Sequence, residues 1–147
     1  MNKQRYIFTA ESNLEVFEFI SEGPNGRIKK IVQYSETNTQ GIYNLGFGDF
    51  NDATGDIDDI VVTNNEDSQK VLATVGATVY AFTDKHSEAL IYATGSTQIR
   101  TRLYRIGITN NLEDIQKDFF VFGLRNDLWE EFETGIHYDA FLIKRKF

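Results

Sequence analysis

The residue types with the clearest chemical potential are grouped in one short stretch, residues 95–105. A glycine follows an apolar run, two hydroxyl residues come next, and Arg100 and Arg102 follow them. Backbone N–H groups at such a strand–turn–helix junction point outward and bind phosphate or carboxylate groups. The helix dipole disfavours cations near this end, so a bound anion would account for the two arginines. The predicted anion-binding residues are Gly95, Ser96, Thr97, Arg100, Arg102 and Tyr104.

An ordinary helix start is the alternative interpretation of the same stretch. Ser96 would then cap the helix, and the arginines would extend to solvent or pair with acidic loops. Caps are common, and the phosphate-binding motifs GxxxxGK[ST] and GxGxxG are absent from the sequence. The pattern is therefore compatible with an anion site, but it is at least as well explained by an ordinary capped helix start, and it defines no ligand.

A second basic stretch lies at residues 27–30, where Lys29 and Lys30 have aromatic neighbours along the chain. Basic and aromatic residues on a sheet surface can bind single-stranded nucleic acid through phosphate contacts and base stacking. We include Lys29, Lys30 and Asn64 as supporting residues of the predicted site. Most aromatic residues alternate as a core requires, and Tyr34 and Tyr104 are the predicted exceptions.

Metal, cofactor and nucleophile chemistry find no support in the residue types. The chain has no cysteine, and His86 and His137 lack a metal-type or triad-type neighbour pattern. The acidic residues 49–59 do not follow the calcium-loop template, so a solvated turn is the better interpretation. We therefore assign no catalytic residue, no metal ligand and no cofactor.

Length and composition describe the molecule that must position these residues. The chain has 147 residues, 41% of them hydrophobic, which is suited to one domain spanning residues 1–147. The net charge of −7 opposes binding to duplex DNA or an anionic membrane, although basic residues cluster locally. Neither a signal peptide nor a membrane span is visible, and we expect a cytoplasmic location without a membrane partner.

Short alternating runs predict most of the strands. The turn Gly23-Pro24-Asn25-Gly26 joins two of them into a hairpin, and Arg125-Asn126-Asp127 is a second turn. Strands are predicted at residues 6–9, 16–21, 26–34, 42–50, 57–63, 89–94, 119–124, 128–132 and 138–144.

Helical periodicity predicts three helices. The first spans residues 67–85, is capped by an asparagine and carries two acids in its first turn. The second has an apolar stripe of Ile99, Leu103 and Ile106 and ends at Gly107; Asn110 or Asn111 caps a third at residues 112–117. The fold class is α+β, a largely antiparallel sheet with two main helices packed on one face, in the order β-β-β-β-β-α-β-α-α-β-β-β.

Five stretches of the sequence resemble an uncharacterised family of small bacterial proteins, a domain of unknown function. The resemblance covers nearly the whole chain, supports one domain, and implies neither an activity nor a ligand. The stretches are Phe19-Ile20-Ser21-Glu22-Gly23-Pro24, Tyr43-Asn44-Leu45-Gly46-Phe47-Gly48-Asp49, Val61-Val62-Thr63-Asn64-Asn65, Lys70-Val71-Leu72-Ala73-Thr74-Val75, and Gly95-Ser96-Thr97 with Arg100-Thr101-Arg102-Leu103-Tyr104.

Three functions are compatible with these residues. The favoured one is a non-enzymatic binding or regulatory domain that engages a phosphate-bearing ligand, single-stranded nucleic acid or a protein partner. An enzyme acting on a nucleotide or RNA phosphate would need a proton-transfer group nearby. The third is an acidic partner protein in a toxin–antitoxin or defence-type module, since acidic surfaces often face basic partners. The proton-transfer candidates are Asp49, Asp59, Tyr104, Lys29 and His137.

Overall fold

A computed structural model describes residues 4–57, 65–95 and 97–147 of the chain. Within them, nine strands and three helices follow one another in the predicted order, which confirms the α+β class. Their bounds are β1 (Thr9–Ala10), β2 (Val16–Gly23), β3 (Gly26–Glu36), β4 (Ile42–Asn51), β5 (Asp56–Ile57), α1 (Ser68–Lys85), β6 (Leu90–Ala93), α2 (Gln98–Asn110), α3 (Leu112–Asp118), β7 (Phe119–Arg125), β8 (Leu128–Glu131) and β9 (Ala140–Arg145).

The strands form one mostly antiparallel sheet in the order β1-β2-β3-β4-β6-β9-β7-β8, with β5 paired to β4. Strands β4 and β6 are parallel, because the chain between them returns through α1. Strand β9 lies between β6 and β7 and is antiparallel to both. Segments that are distant along the chain therefore meet in the middle of the sheet.

Both predicted turns are present. Gly23 pairs with Gly26 across the β2–β3 hairpin, which leaves Pro24 and Asn25 as the two turn residues. Asn126 and Asp127 connect β7 to β8 with φ values of 53° and 63°. Such left-handed backbone at both central positions is the type I′ geometry that Asn and Asp tolerate and that matches strand twist.

The core lies between the sheet and α1, as the apolar stripe predicts. Phe82 of α1 stacks on Tyr34 of β3 at 4.1 Å between ring centroids. The Tyr34 hydroxyl shares a hydrogen bond of 2.9 Å with Thr78, and burial raises the Tyr34 pKa well above its usual value. The prediction that Tyr34 is exposed is therefore wrong, because its one polar atom finds a partner inside.

Helix α1 has the predicted extent but not the predicted cap. Asp67 occupies the N-cap position, no acid lies in the first turn, and the Asp67 side chain makes no capping bond. Its carboxylate instead accepts hydrogen bonds from Tyr6 at 2.5 Å and Ser21 at 2.6 Å. Asn65 is buried and donates to the Gly26 carbonyl at 2.9 Å. These side chains tie the helix start to the β2–β3 hairpin.

Helix α2 differs from its prediction in both its end and its buried face. It continues through Gly107 to Asn110, and Gly107 lies within reach of Leu72 of α1. The predicted stripe is wrong at Ile99, which is 76% exposed, whereas Leu103 is partly buried against the core. The prediction failed because the hydrophobic pattern assigns every arginine to the solvent-exposed side of the helix, whereas Arg100 is buried. The buried residues of α2 are Arg100, Tyr104 and Ile108.

The remaining strand predictions are correct to within a few residues where the structure describes them. Residues 6–8 precede β1 without strand pairing, although Phe8 packs edge-on against Phe17. Of the strand predicted at residues 57–63, all but Ile57 falls outside the described residues. None of the described helices combines the length and the apolar character that crossing a membrane requires.

Candidate anion-binding cleft

A surface cleft of about 610 Å³ opens where α2 begins, beside the end of β6 and the residues that lead into β9. Two arginines supply its positive charge and a histidine lies beside them, so we name it the arginine cleft. Its volume lies within the range of about 300–1,000 Å³ that is usual for small-molecule sites. Its lining residues are Thr94, Gly95, Thr97, Gln98, Ile99, Thr101, Arg102, Arg105, His137, Tyr138 and Asp139.

The floor of the cleft is a close approach between Gly95 and the first turn of α2. A Cβ atom at Gly95 would lie 2.5 Å from the Thr101 nitrogen, so the backbone admits no side chain there. The Gly95 N–H donates to the Thr101 hydroxyl at 3.0 Å. Thr97 caps the helix, as its hydroxyl accepts from the Arg100 N–H at 3.2 Å. The glycine and the two threonines thus fix where the helix points.

The cations of the cleft lie on the outer face of α2. Arg102 is exposed, and Arg105 follows one turn later and is half-buried. Within the part of the chain that the structure describes, no ion pair joins either arginine to a carboxylate. The Arg105 guanidinium lies 3.4 Å from Nδ1 of His137. Since arginine can only donate, Nδ1 must be the unprotonated nitrogen of that ring.

The wall opposite α2 comes from the segment before β9. The Tyr138 ring packs on Gly123 of β7, where a Cβ atom would clash. Its hydroxyl donates to Glu130 at 3.1 Å, and burial, together with that carboxylate, raises the Tyr138 pKa. Tyr138 therefore stays neutral. Asp139 adds a carboxylate, and its backbone oxygen accepts from Thr94 at 2.8 Å, which links this wall to β6.

Arg100 is turned away from the arginine cleft. It is 7% exposed, and its Nη2 donates to the backbone carbonyl of Phe47 in β4. Tyr104, one turn later, is 8% exposed and points its hydroxyl at the Leu45 carbonyl, 3.4 Å away. The prediction that Tyr104 is exposed is wrong. Both residues contact the sheet rather than the cleft.

The supporting lysines occupy two other environments. Lys30 is 1% exposed and forms a buried ion pair with Asp49 across the β3–β4 pairing. Lys29 faces the other side of the sheet, 3.4 Å from Glu18 and 4.4 Å from the centre of the Phe50 ring. Neither lysine lines the arginine cleft. Ser96 and Asn64 lie outside the described residues.

Of the predicted set, the structure places Gly95, Thr97 and Arg102 together in the cleft. It adds Arg105, which was not among the predicted site residues, and His137, which the sequence suggested only as one of five proton-transfer candidates. Arg105 lies three residues after Arg102, a spacing that puts both on one helix face, so the sequence carried that signal. His137 arrives because β9 pairs with β6, a contact between distant segments that no local pattern reveals.

No group of three metal-ligating side chains occurs in the described residues. At the acidic turn, Asn51 accepts a hydrogen bond from Ala53 at 2.9 Å, and the chain turns back to pair as β5. Such a turn uses its polar side chains for its own backbone. Residues 58 and 59 of this stretch lie outside the described residues.

Comparison with known proteins shows that residues 2–146 match a family of unknown function, DUF6934. No curated protein and no solved structure is similar enough to match.

Proposed function

The chain belongs to DUF6934, a family of unknown function, and on the geometry above we propose that it is a binding domain for a phosphate-bearing ligand held in the arginine cleft. The proposed site lies at the start of α2, where the sequence analysis also placed it. Its residues differ from the set given there. Arg102 and Arg105 supply the positive charge and His137 lies beside them, whereas Arg100 is part of the interior. We place this function in the cytoplasm, as the absence of cysteine from the sequence favours a reducing compartment.

One observation carries the proposal. Arg102 and Arg105 repel each other one turn apart on α2, and no described carboxylate pairs with either. The chain carries a net charge of −7, and other arginines readily find acids. Arg27 pairs with Glu22 at 3.4 Å, and Arg145 pairs with Asp84 at 2.9 Å. Two cations kept together in a cleft of an acidic protein fit an anionic ligand, which would relieve their repulsion.

The chemistry of the cleft favours binding over turnover. The Tyr138 hydroxyl is held neutral by burial and by Glu130, and His137 uses Nδ1 to accept from Arg105. Two guanidinium groups offer the planar, multiple donors that suit phosphate oxygens. The Thr97 hydroxyl is already engaged by the helix backbone. We therefore assign the arginines to ligand binding and no residue to proton transfer.

The test is a calorimetric titration with inorganic pyrophosphate, ATP and a short single-stranded RNA. The variant Arg102→Ala/Arg105→Ala should lose at least about tenfold in affinity, which corresponds to about 1.4 kcal/mol. Its melting temperature should stay close to that of the wild type, because neither side chain is among the buried residues of α2. Ligand at about a hundred times its dissociation constant should stabilise the wild type alone by about 2.7 kcal/mol.

The matched control is Arg27→Ala/Lys117→Ala, which also removes two exposed cations. It should bind like the wild type. If both double variants lost the same amount of affinity, the loss would be explained by the change in net charge alone. That result would contradict a binding site in the cleft. Release of phosphate from ATP during the titration would instead favour an enzyme.

A further inference from the structure

Strand β8 has a free edge along one side of the sheet. It is the last strand in the sheet order, so only its other side meets a described strand, β7. The Phe132 N–H, just after β8, donates to the Val121 carbonyl of β7 at 3.0 Å. Because alternate residues of an antiparallel strand direct their backbone groups to opposite sides, those of Trp129 and Glu131 point away from β7. The Glu131 carbonyl lies 3.4 Å from the Tyr138 hydroxyl, and the other three groups face the free side.

The opposite end of the sheet is closed by the chain itself. The Glu22 N–H of β2 donates to the Tyr6 hydroxyl at 3.0 Å, and Thr9 and Ala10 pair with the same strand as β1. Strand β8 has no such cover among the described residues. It also lacks the lysine or proline that often keeps an edge strand from pairing. This edge is therefore suited to the addition of another strand.

Two large apolar side chains are exposed along the free edge. Leu128 is 71% exposed and Trp129 is 43% exposed. They lie on opposite faces of β8, since successive side chains of a strand alternate. The Trp129 ring lies edge-on to the Tyr92 ring of β6, with 6.2 Å between the ring centroids. A strand beside β8 would place one side chain against Leu128 and another against Trp129.

The charge around this edge indicates the chemistry of the partner. Residues 127–139 contain five acids and neither lysine nor arginine. Glu130 pairs with Arg125 at 3.0 Å, and no ion pair joins the other four acids to a cation of the described residues. A second copy of the chain would bring acids against acids, and like charges across a strand pair are destabilising. Basic side chains would instead complement this edge. The acids are Asp127, Glu130, Glu131, Glu133 and Asp139.

We propose that the free edge of β8 binds a basic, extended segment of another protein, which joins the sheet as an antiparallel strand. Backbone hydrogen bonds to Trp129 and Glu131 give affinity, and side chains that alternate along the segment give specificity. Apolar side chains cover Leu128 and Trp129, and basic side chains meet the acids beside them. None of residues 127–133 lines the arginine cleft, so this interaction is independent of the proposed function.

The test is a fluorescence titration with the peptide Lys-Lys-Val-Val-Lys, blocked at both ends. In antiparallel register its valines lie opposite Trp129 and Leu128, and its lysines lie opposite Glu131, Glu130 and Asp127. Trp129 is the only tryptophan of the chain, so its emission reports binding directly. A valine packed against its ring should shift the emission to shorter wavelength until the site is saturated. The absence of a saturable shift would overturn the proposal.

Two N-methylated peptides test the strand geometry and need no protein variant. Neighbouring N–H groups of a strand point in opposite directions. A methyl group on the first valine therefore removes the donor to the Trp129 carbonyl, whereas a methyl group on the second valine points away from β8. The first peptide should bind about fivefold to tenfold more weakly than the second, as expected for one lost hydrogen bond. Equal affinities of the two methylated peptides would contradict strand addition.

Charge reversal tests the chemistry of the partner. Glu131→Lys/Glu133→Lys should bind the unmodified peptide at least about tenfold more weakly, because like charges then face each other. The matched control Glu11→Lys/Glu36→Lys makes the same charge change at exposed positions near the other end of the sheet. At physiological salt it should bind within about twofold of the wild type. An equal loss in both variants would overturn the proposal. So would a Trp129 emission that shifts with protein concentration without peptide, since a second copy would then cover the edge.

Discussion

Arg100 and Arg102 stand two residues apart in one helix and belong to different regions of the molecule. Arg100 lies in the buried polar cluster, which we define as Arg100 with the Phe47 carbonyl and the Lys30–Asp49 pair. Arg102 lies in the arginine cleft, exposed and without an ion pair to the described residues. Two residues of a helix differ by about 200° around its axis, which places such neighbours on opposite faces.

The contrast between Arg100 and Arg102 shows that the role of a cation depends on which groups its side of the helix contacts. A charge enters the interior only where acceptors satisfy it, and the end of β4 provides them as a backbone carbonyl and a carboxylate. On the other face, the arginines meet each other and His137. Buried cations should therefore determine stability, and cleft cations should determine ligand binding.

The largest expected effect is on the buried side. Lys30→Met keeps most of the apolar stem but removes the ammonium group from a carboxylate, Asp49, that is 8% exposed. We expect the free energy of unfolding in urea to fall by about 3–5 kcal/mol, as for other broken buried pairs. Lys29→Met, on the exposed face of the same strand, is the control and should change it by less than about 1 kcal/mol.

A double variant makes this prediction sharper. Lys30→Met/Asp49→Leu removes both charges together, and it should recover much of the lost stability. If Lys30→Met alone unfolds at the same urea concentration as the wild type, the Lys30–Asp49 pair does not stabilise the pairing of β3 with β4. That result would contradict the statement that buried cations determine stability.

Arg100 should give the next largest effect. Arg100→Met removes the donor to the Phe47 carbonyl, and hydrogen bonds to charged groups contribute about 1.5–3 kcal/mol. We expect the free energy of unfolding to fall by this amount. The affinity for pyrophosphate should be unchanged at temperatures below the unfolding transition. Arg102→Met, measured in parallel, should show the reverse. Loss of affinity in Arg100→Met with unchanged stability would return Arg100 to the ligand site.

Thr97 lies at the boundary between the two regions and gives the smallest effect. It lines the cleft, but its hydroxyl accepts from the helix backbone. Thr97→Ala should lower the free energy of unfolding by about 1 kcal/mol, and Thr97→Ser should retain the cap. Circular dichroism during thermal unfolding measures both. Equal stabilities of the two variants would show that the cap contributes nothing.

The sequence predicts the elements well, because turn residues and periodicity act locally. The Gly23-Pro24-Asn25-Gly26 turn, the stripe on α1 and the order of all described elements were accessible in this way. The buried face of α2 was not. Arg100 is on the buried face because it donates to a carbonyl group in β4. A hydrophobic pattern that treats each cation as solvent-exposed cannot predict such a partner.

The candidate site was predictable in its place and only partly in its members. Gly95, Thr97 and Arg102 follow from the chemistry of a helix start. Arg105 was within reach of the same reasoning through its spacing from Arg102. His137 was not, because it depends on β9 entering the sheet beside β6, a strand that is distant along the chain.

The interior position of β9 has a consequence for synthesis. Residues 140–145 pair with β6 on one side and β7 on the other, so neither neighbour has its full hydrogen bonding until they arrive. While the ribosome is still adding them, the nascent chain exposes two strand edges that a neighbouring chain could pair with. The sheet is completed only when β9 leaves the exit tunnel, so the timing of that step sets how long aggregation competes with folding.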